Sequence, residues 1–268
     1  MQRLAIPAAF NPILASGLDI IFTVDEQSQA LDSFEAKNSL HLRHQAKALE
    51  LIETLSADMN CGSVAATAKA IIGANSVPAE RLYLKSMFSL KLSGEPTQNV
   101  KIYFDTSDLE SDEFWNLFRT ATESLTLNLS SVQQDMVAEW RTSTIRPSLM
   151  GLQIGTKPRL KIYYDPSDPR DASSNDLPRY RFLMQKLGMI DQSAADHDWR
   201  DVALDLGADN STLMKLYYRN PDYDLDHAPM LDGSEISFNP HNSYLTQASF
   251  DDRNKLLNTK GYFILKRQ

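Results

Sequence analysis

Three segments of this chain repeat one short pattern: lysine, an aliphatic residue, tyrosine, then a further aromatic residue. They are Lys101-Ile-Tyr-Phe104, Lys161-Ile-Tyr-Tyr164 and Lys215-Leu-Tyr-Tyr218, separated by 60 and then 54 residues. Self-similarity at a long, nearly even period marks a structural unit used several times, and it limits the fold more than any isolated motif does. β-Branched and aromatic residues make each segment a strand. A second strand-like run and a turn precede each one. Leu82–Leu92 leads through Ser-Gly-Glu-Pro-Thr-Gln-Asn (93–99) into the first, Leu149–Ile154 through Gly155-Thr-Lys-Pro158 into the second, and Val202–Leu206 through Gly207-Ala-Asp-Asn-Ser211 into the third. Gly, Asn and Pro between such runs signal hairpins.

Helical patterns follow the hairpins. Asp108–Phe118 has acidic residues in its first turn and Phe114, Leu117 and Phe118 at helical spacing. Pro178–Leu187 stops at Gly188, while Pro221–Glu235, rich in Asp and Pro, reads mostly as loop. In the N-terminal third, Gly17–Asp25 reads as a strand and Asn38–Met59 as an amphipathic helix; residues 260–266 read as a terminal strand. Sequential hairpins separated by helices, without βαβ alternation, predict repeated α-β-β-α units. These build an α+β fold in which one antiparallel sheet carries helices on one face, and closing that sheet would remove its edges. No Pro/Gly/Ser-rich linker divides residues 1–268, so a single domain is expected.

Side chains alternate across a strand. Lys101 and Tyr103 therefore oppose Ile102 and Phe104. Arg159, Lys161 and Tyr163 oppose Leu160, Ile162 and Tyr164, and Lys215, Tyr217 and Arg219 oppose Leu216 and Tyr218. The apolar faces suit a helix-covered core. A merely solvated opposite face would tolerate any polar residue; the same Lys-x-Tyr order in three strands predicts a lumen lined with cations and phenols.

Composition sharpens what such a lumen means. The chain has 268 residues, with 27 Lys+Arg against 35 Asp+Glu, for a net charge of −8. An acidic protein of this kind is not a dedicated nucleic-acid binder, which disfavours an RNA-binding sheet with stacked aromatics. Cys61 is the only cysteine, excluding disulfides within the chain and Cys-based zinc sites. No apolar run reaches the roughly 18–20 residues of a membrane helix, and the N-terminal residues lack a signal-peptide layout, so a cytoplasmic protein without a membrane span is expected. Within it, Lys and Arg suit a diphosphate through charge-assisted hydrogen bonds, and tyrosine faces suit a neighbouring carbocation. That pairing fits heterolysis of an allylic diphosphate in a site that excludes water.

These residues resemble the ABBA-type prenyltransferases. Lys101-x-Tyr103, Arg159-x-Lys161-x-Tyr163 and Lys215-x-Tyr217 are similar, in order and register, to the strands with which the dimethylallyltryptophan synthase-like branch binds its donor. The short chain is more similar to the cyanobactin peptide prenyltransferases. The resemblance implies a closed antiparallel barrel of about ten strands ringed by helices, the PT barrel. It implies transfer of a dimethylallyl or longer prenyl group from its diphosphate to an electron-rich side chain of a ribosomal peptide, or to an indole or phenol small molecule. Lys101, Arg159, Lys161, Lys215 and Arg219 would bind the diphosphate, and Tyr103, Tyr163 and Tyr217 would shield the cation. Asp19, in Leu18-Asp19, falls where the family carries a Glu that orients or deprotonates the acceptor. The resemblance implies no required cofactor and no protein metal site, with Mg²⁺ as an optional aid at the diphosphate.

Other features have plainer readings. Asp251-Asp252 has no second Asp-rich partner and reads as an exposed turn or helix start. No HExxH, P-loop or Rossmann motif is present. Trp115 and Trp140 read as core, and Tyr244 and Tyr262 as further candidates for the cavity lining. The rival from a different class is a non-catalytic β-barrel that binds an anionic lipid or an acidic peptide; a binder has no need of a cation shield.

Overall fold

A computed structural model describes residues 18–23, 49–50, 53, 63–73, 83–92, 100–142, 146–154, 157–164, 182–183, 199–219 and 245–262. Nine strands form one sheet: β1 (Leu18–Thr23), β2 (Tyr83–Leu92), β3 (Val100–Asp105), β4 (Pro147–Ile154), β5 (Arg159–Tyr164), β6 (Trp199–Gly207), β7 (Thr212–Arg219), β8 (Leu245–Phe250) and β9 (Leu256–Tyr262). Three helices are described: α1 (Ser63–Gly73), α2 (Ser111–Ser124) and α3 (Ser131–Thr142). Each strand pairs antiparallel with the next, in sequence order from β1 to β9.

The antiparallel sheet with helices agrees with the sequence reading; its closure into a barrel is not seen. No β9–β1 pairing occurs among the described residues. Among the described strands, parity gives a physical reason. In a meander each strand reverses the last, so β1 and β9 run the same way, and joining them directly would require a parallel pair. An all-antiparallel barrel closes only with an even number of strands.

The sheet has two unlike faces, as the alternation predicts. One carries Ile102, Phe104, Met150, Leu152, Leu160, Ile162, Val202, Leu204, Leu216 and Phe250, all buried with residues of the helices in one continuous core. From α2 come Phe114, Trp115, Leu117, Phe118 and Ala121, on one stripe at helical spacing, and from α3 come Met136 and Trp140. Trp140 meets the Tyr164 ring edge-on, with centroids 6.5 Å apart, so Trp115 and Trp140 are core residues. Reciprocal side-chain bonds cap both helices. In α2, Glu113 accepts from the Glu110 N–H at 2.8 Å. In α3, the Gln133 side chain accepts from the Ser130 N–H at 2.9 Å.

Several expected elements shift or were not anticipated. The helix expected at Asp108–Phe118 is α2, and β9 starts four residues before the expected terminal strand. Helices α1 and α3 and strand β8 were not anticipated. The helix expected at Asn38–Met59 lies outside the described residues except at 49–50 and 53, which are helical, and that at Pro178–Leu187 except at 182–183, also helical. Pro221–Glu235 and Tyr244 lie wholly outside them. Asp251 accepts backbone N–H bonds from Arg253 at 3.0 Å and Lys255 at 2.7 Å, so Asp251-Asp252 is the β8–β9 turn.

Candidate functional site

The second face of the sheet is not a solvated one. Lys101, Lys161 and Lys215 are each less than a tenth exposed, as are Tyr103, Tyr163 and Tyr217. The three tyrosines form a buried cluster with Leu149 and Ala203, separate from the main core. Their rings make a continuous row: the Tyr103 and Tyr163 centroids are 6.1 Å apart and tilted by 58°, and those of Tyr163 and Tyr217 are 5.8 Å apart and tilted by 38°. Gly151, on the strand between Tyr103 and Tyr163, leaves the space that brings these two rings together.

The register explains how residues so distant in sequence assemble. Lys101 aligns through Gln153 with Arg159, and Tyr103 aligns through Gly151 with Lys161. Tyr163 aligns through Ala203 with Lys215. The lysine of each later motif thus stands level, across the ladder, with the tyrosine of the one before. Every motif is displaced two residues over two strands, one residue per strand. The series continues beyond the three motifs read from sequence, because Tyr217 aligns through Gln247 with Lys260 of Lys260-Gly-Tyr262. That fourth copy escaped sequence reading because its spacing is shorter and a glycine replaces the aliphatic residue.

A carboxylate that was not anticipated lies among the cations. Asp205 of β6 has no exposed surface. Its Oδ1 accepts from Arg159 Nε at 2.6 Å. Its Oδ2 accepts from Lys215 Nζ and lies 3.6 Å from Lys161 Nζ. The sequence signal was there: a lone acid within Val202-Ala-Leu-Asp-Leu206, on the Ala203 face of an otherwise apolar run. Burial acts to raise the Asp205 pKa, but Lys161, Lys215 and Arg159 outweigh it and hold the carboxyl well below the usual carboxylate range. Burial, with Lys161 beside it, lowers the Lys215 ammonium to about 7 despite its bond to Asp205.

Arg159 is fixed from a second side. Its Nη1 donates to Ser211 Oγ at 2.8 Å and lies 3.7 Å from Asp209 Oδ1. Its Nη2 is buried with no hydrogen-bond partner among the described residues. The Gly207–Ser211 turn that receives Arg159 is itself held by α3: the buried Gln133 donates to the Gly207 carbonyl at 3.0 Å and the Ser211 carbonyl at 3.1 Å. A Cβ on Gly207 would stand 2.6 Å from Arg159 Nη1, so a larger residue there would shift the guanidinium.

The structure therefore brings together Arg159, Lys161 and Lys215, and separately Tyr103, Tyr163 and Tyr217, on the face that also carries Lys101. Asp19 pairs with Lys91, and its neighbour Ile21 aligns through Ser89 with Lys101, which places Asp19 on the same face by register. Arg219 ends β7 opposite Leu245, two residues beyond Tyr217. The side chains of Asp19 and Arg219 lie outside the described residues.

No family model matches this chain. No curated protein matches it. Two solved structures align with most of this chain. One is the 5-dimethylallyl tryptophan synthase from Streptomyces coelicolor in complex with DMASPP and Trp, with a TM-score of 0.41 and 12% identity, covering 80% of this chain and 71% of that one. The other is the PriB binary complex with product diphosphate, with a TM-score of 0.41 and 10% identity, covering 80% of this chain and 72% of that one.

Proposed function

We propose that this chain is a prenyltransferase that moves a dimethylallyl or longer prenyl group from its diphosphate to an electron-rich side chain of a ribosomal peptide, or to an indole or phenol. The observation that carries this reading is the buried juxtaposition of three cations and three neighbouring tyrosine rings on one sheet face. Ionisation of an allylic diphosphate creates an anion and a cation side by side, and this face offers a surface for each. Lys101, Arg159, Lys161, Lys215 and Arg219 hold the diphosphate, with Arg159 Nη2, unpartnered among the described residues, as a ready donor. Tyr103, Tyr163 and Tyr217 screen the allylic cation from water. Asp19 orients the acceptor or takes its proton.

The stagger supports a barrel. Were the motifs to lie level around a closed sheet, one residue per strand would correspond to a shear equal to the strand number, the ratio found in parallel (β/α)₈ barrels, where strands tilt by about 36°. A tenth strand would supply the even number that antiparallel closure needs.

The test is to incubate the purified protein with dimethylallyl diphosphate and a panel of Trp, Tyr, Arg and cyclic peptide acceptors, reading products by mass spectrometry. The expected product carries one added dimethylallyl group. Absence of product together with absence of diphosphate binding by calorimetry would overturn the reading. Retention of intact donor without turnover would favour the non-catalytic binder of an anionic lipid or acidic peptide.

A further inference from the structure

We propose that Asp205 is a resident counter-anion that occupies the cationic site of the free protein and competes there with the incoming diphosphate, so that it limits how tightly the anion is held. The inference rests on the diphosphate reading of this face. The geometry supporting it is specific. A single carboxylate engages Arg159 through one oxygen and Lys161 and Lys215 through the other. Three cations converge on this one carboxylate, and Asp209 reaches Arg159 from the other side. Asp205 has no exposed surface, so bulk water screens its field little.

Without this carboxylate, three closely spaced cations on a buried face would repel one another with the anion they converge on removed. Asp205 removes that penalty while the site is empty. Among the described residues it leaves Arg159 Nη2 unengaged, so one donor remains ready for a new acceptor. A diphosphate that reaches Lys161 and Lys215 shares with Asp205 the two ammonium groups that Asp205 Oδ2 now holds. The two anions repel through the cations they share. The same repulsion acts on inorganic diphosphate after the prenyl group has gone, and it favours release of a product that a purely cationic pocket would retain.

The direct test is calorimetric titration of inorganic diphosphate into the wild-type chain and the variants Asp205→Asn, Lys215→Met and the Asp205→Asn/Lys215→Met pair, in one buffer at fixed salt. The double variant removes one cation together with the anion and limits the charge imbalance. Asp205→Asn is expected to bind at least tenfold tighter than the wild type, and the double variant at least tenfold tighter than Lys215→Met. Equal or weaker binding in a folded Asp205→Asn or double variant overturns the proposal, because Asp205 would then be organising the cations rather than competing for them. Should both variants fail to fold alone, saturating inorganic diphosphate is expected to restore their cooperative melting, since it replaces the missing anion; failure to restore it overturns the proposal. A wild-type chain that binds neither inorganic diphosphate nor dimethylallyl diphosphate removes the diphosphate reading, and this inference with it. Normal wild-type binding with no gain in the variants removes this inference alone.

Discussion

Gly151 lies against the Tyr103 ring so closely that a Cβ there would stand 3.0 Å from Tyr103 Cε1, and 3.2 Å from Tyr163 Cε2. Contacts of that length are tighter than ordinary packing, and both rings are themselves buried. Gly151→Ala is therefore expected to push the two rings apart, destabilising the fold by about 1–3 kcal/mol, the usual cost of overpacking. Turnover should fall more than diphosphate affinity, since the cations lie on other residues. Chemical denaturation and calorimetry on the same variant read the two effects separately; unchanged stability and turnover would mean that the rings move aside freely.

Gln133 is wholly buried, and its amide is bonded to two carbonyls of the β6–β7 turn. Replacing it by Leu keeps bulk but removes both side-chain bonds, leaving the Gly207 and Ser211 carbonyls with the backbone N–H groups of Asn210 and Gly207 alone. A hydrogen bond contributes about 0.5–1.5 kcal/mol, so losing two should lower the unfolding free energy of Gln133→Leu by about 1–3 kcal/mol in urea titration. Because this turn also receives Arg159, weaker anion binding should accompany the loss.

Lys161→Ala removes a cation near Asp205 and, on the proposed reading, a ligand of the diphosphate. The expected loss in diphosphate affinity is about 1.5–3 kcal/mol, the range for a hydrogen bond to a charged group. Unchanged affinity in the titration would show that the anion does not bind this face.

Asp19→Asn separates acceptor chemistry from donor binding. The expected result is loss of most turnover with diphosphate affinity retained, measured by product formation and calorimetry on one preparation. Loss of both together would point to misfolding instead.

The pH response follows from the two buried charges. Lys215 is lowered to about 7 in the folded chain from an ordinary value of 10.5. Between those values the unfolded chain binds more protons, so this group makes stability rise with pH from about 7 upward. Asp205 acts in the acid range: its carboxyl is lowered, so its contribution is present above the ordinary value of 3.8 and is lost as pH falls through its folded value. Anion binding has the opposite slope to Lys215's effect on stability, because the ligand needs the ammonium form. Affinity for dimethylallyl diphosphate should fall by up to tenfold per pH unit above about 7, and Lys215→Met should flatten that part of the profile. A flat wild-type profile between pH 7.5 and 9 would contradict the assigned protonation.

Much of this was legible in sequence because period-2 alternation fixes both faces of a strand at once. Lys161, Tyr163 and Ile162 could be sorted to opposite faces without coordinates, and the hairpins followed from Gly207 and its neighbours. What escaped needed partners across the ladder. Asp205 is informative only once Lys161 is known to lie opposite it and Lys215 on the next strand, and sequence carries no register between β5, β6 and β7. Helix α3 was missed for a related reason: two of its buried residues, Gln133 and Met136, are a polar residue and a flexible one, and Gln133 is inside because it serves a turn 74 residues away. Barrel closure was expected from resemblance, and among the described strands β1 and β9 run the same way and do not pair.

The two-residue displacement between successive motifs makes this face unusually intolerant of insertions. A substitution exchanges one side chain, but a single-residue insertion within β5 would rotate every later position of that strand by half a period. Ile162 and Tyr164 would then enter the cationic face, while Lys161 or Tyr163 would be driven into the apolar layer beneath the helices. Length changes should therefore be confined to the connections, and drift in donor or acceptor preference should proceed by exchanges at fixed rungs of the ladder.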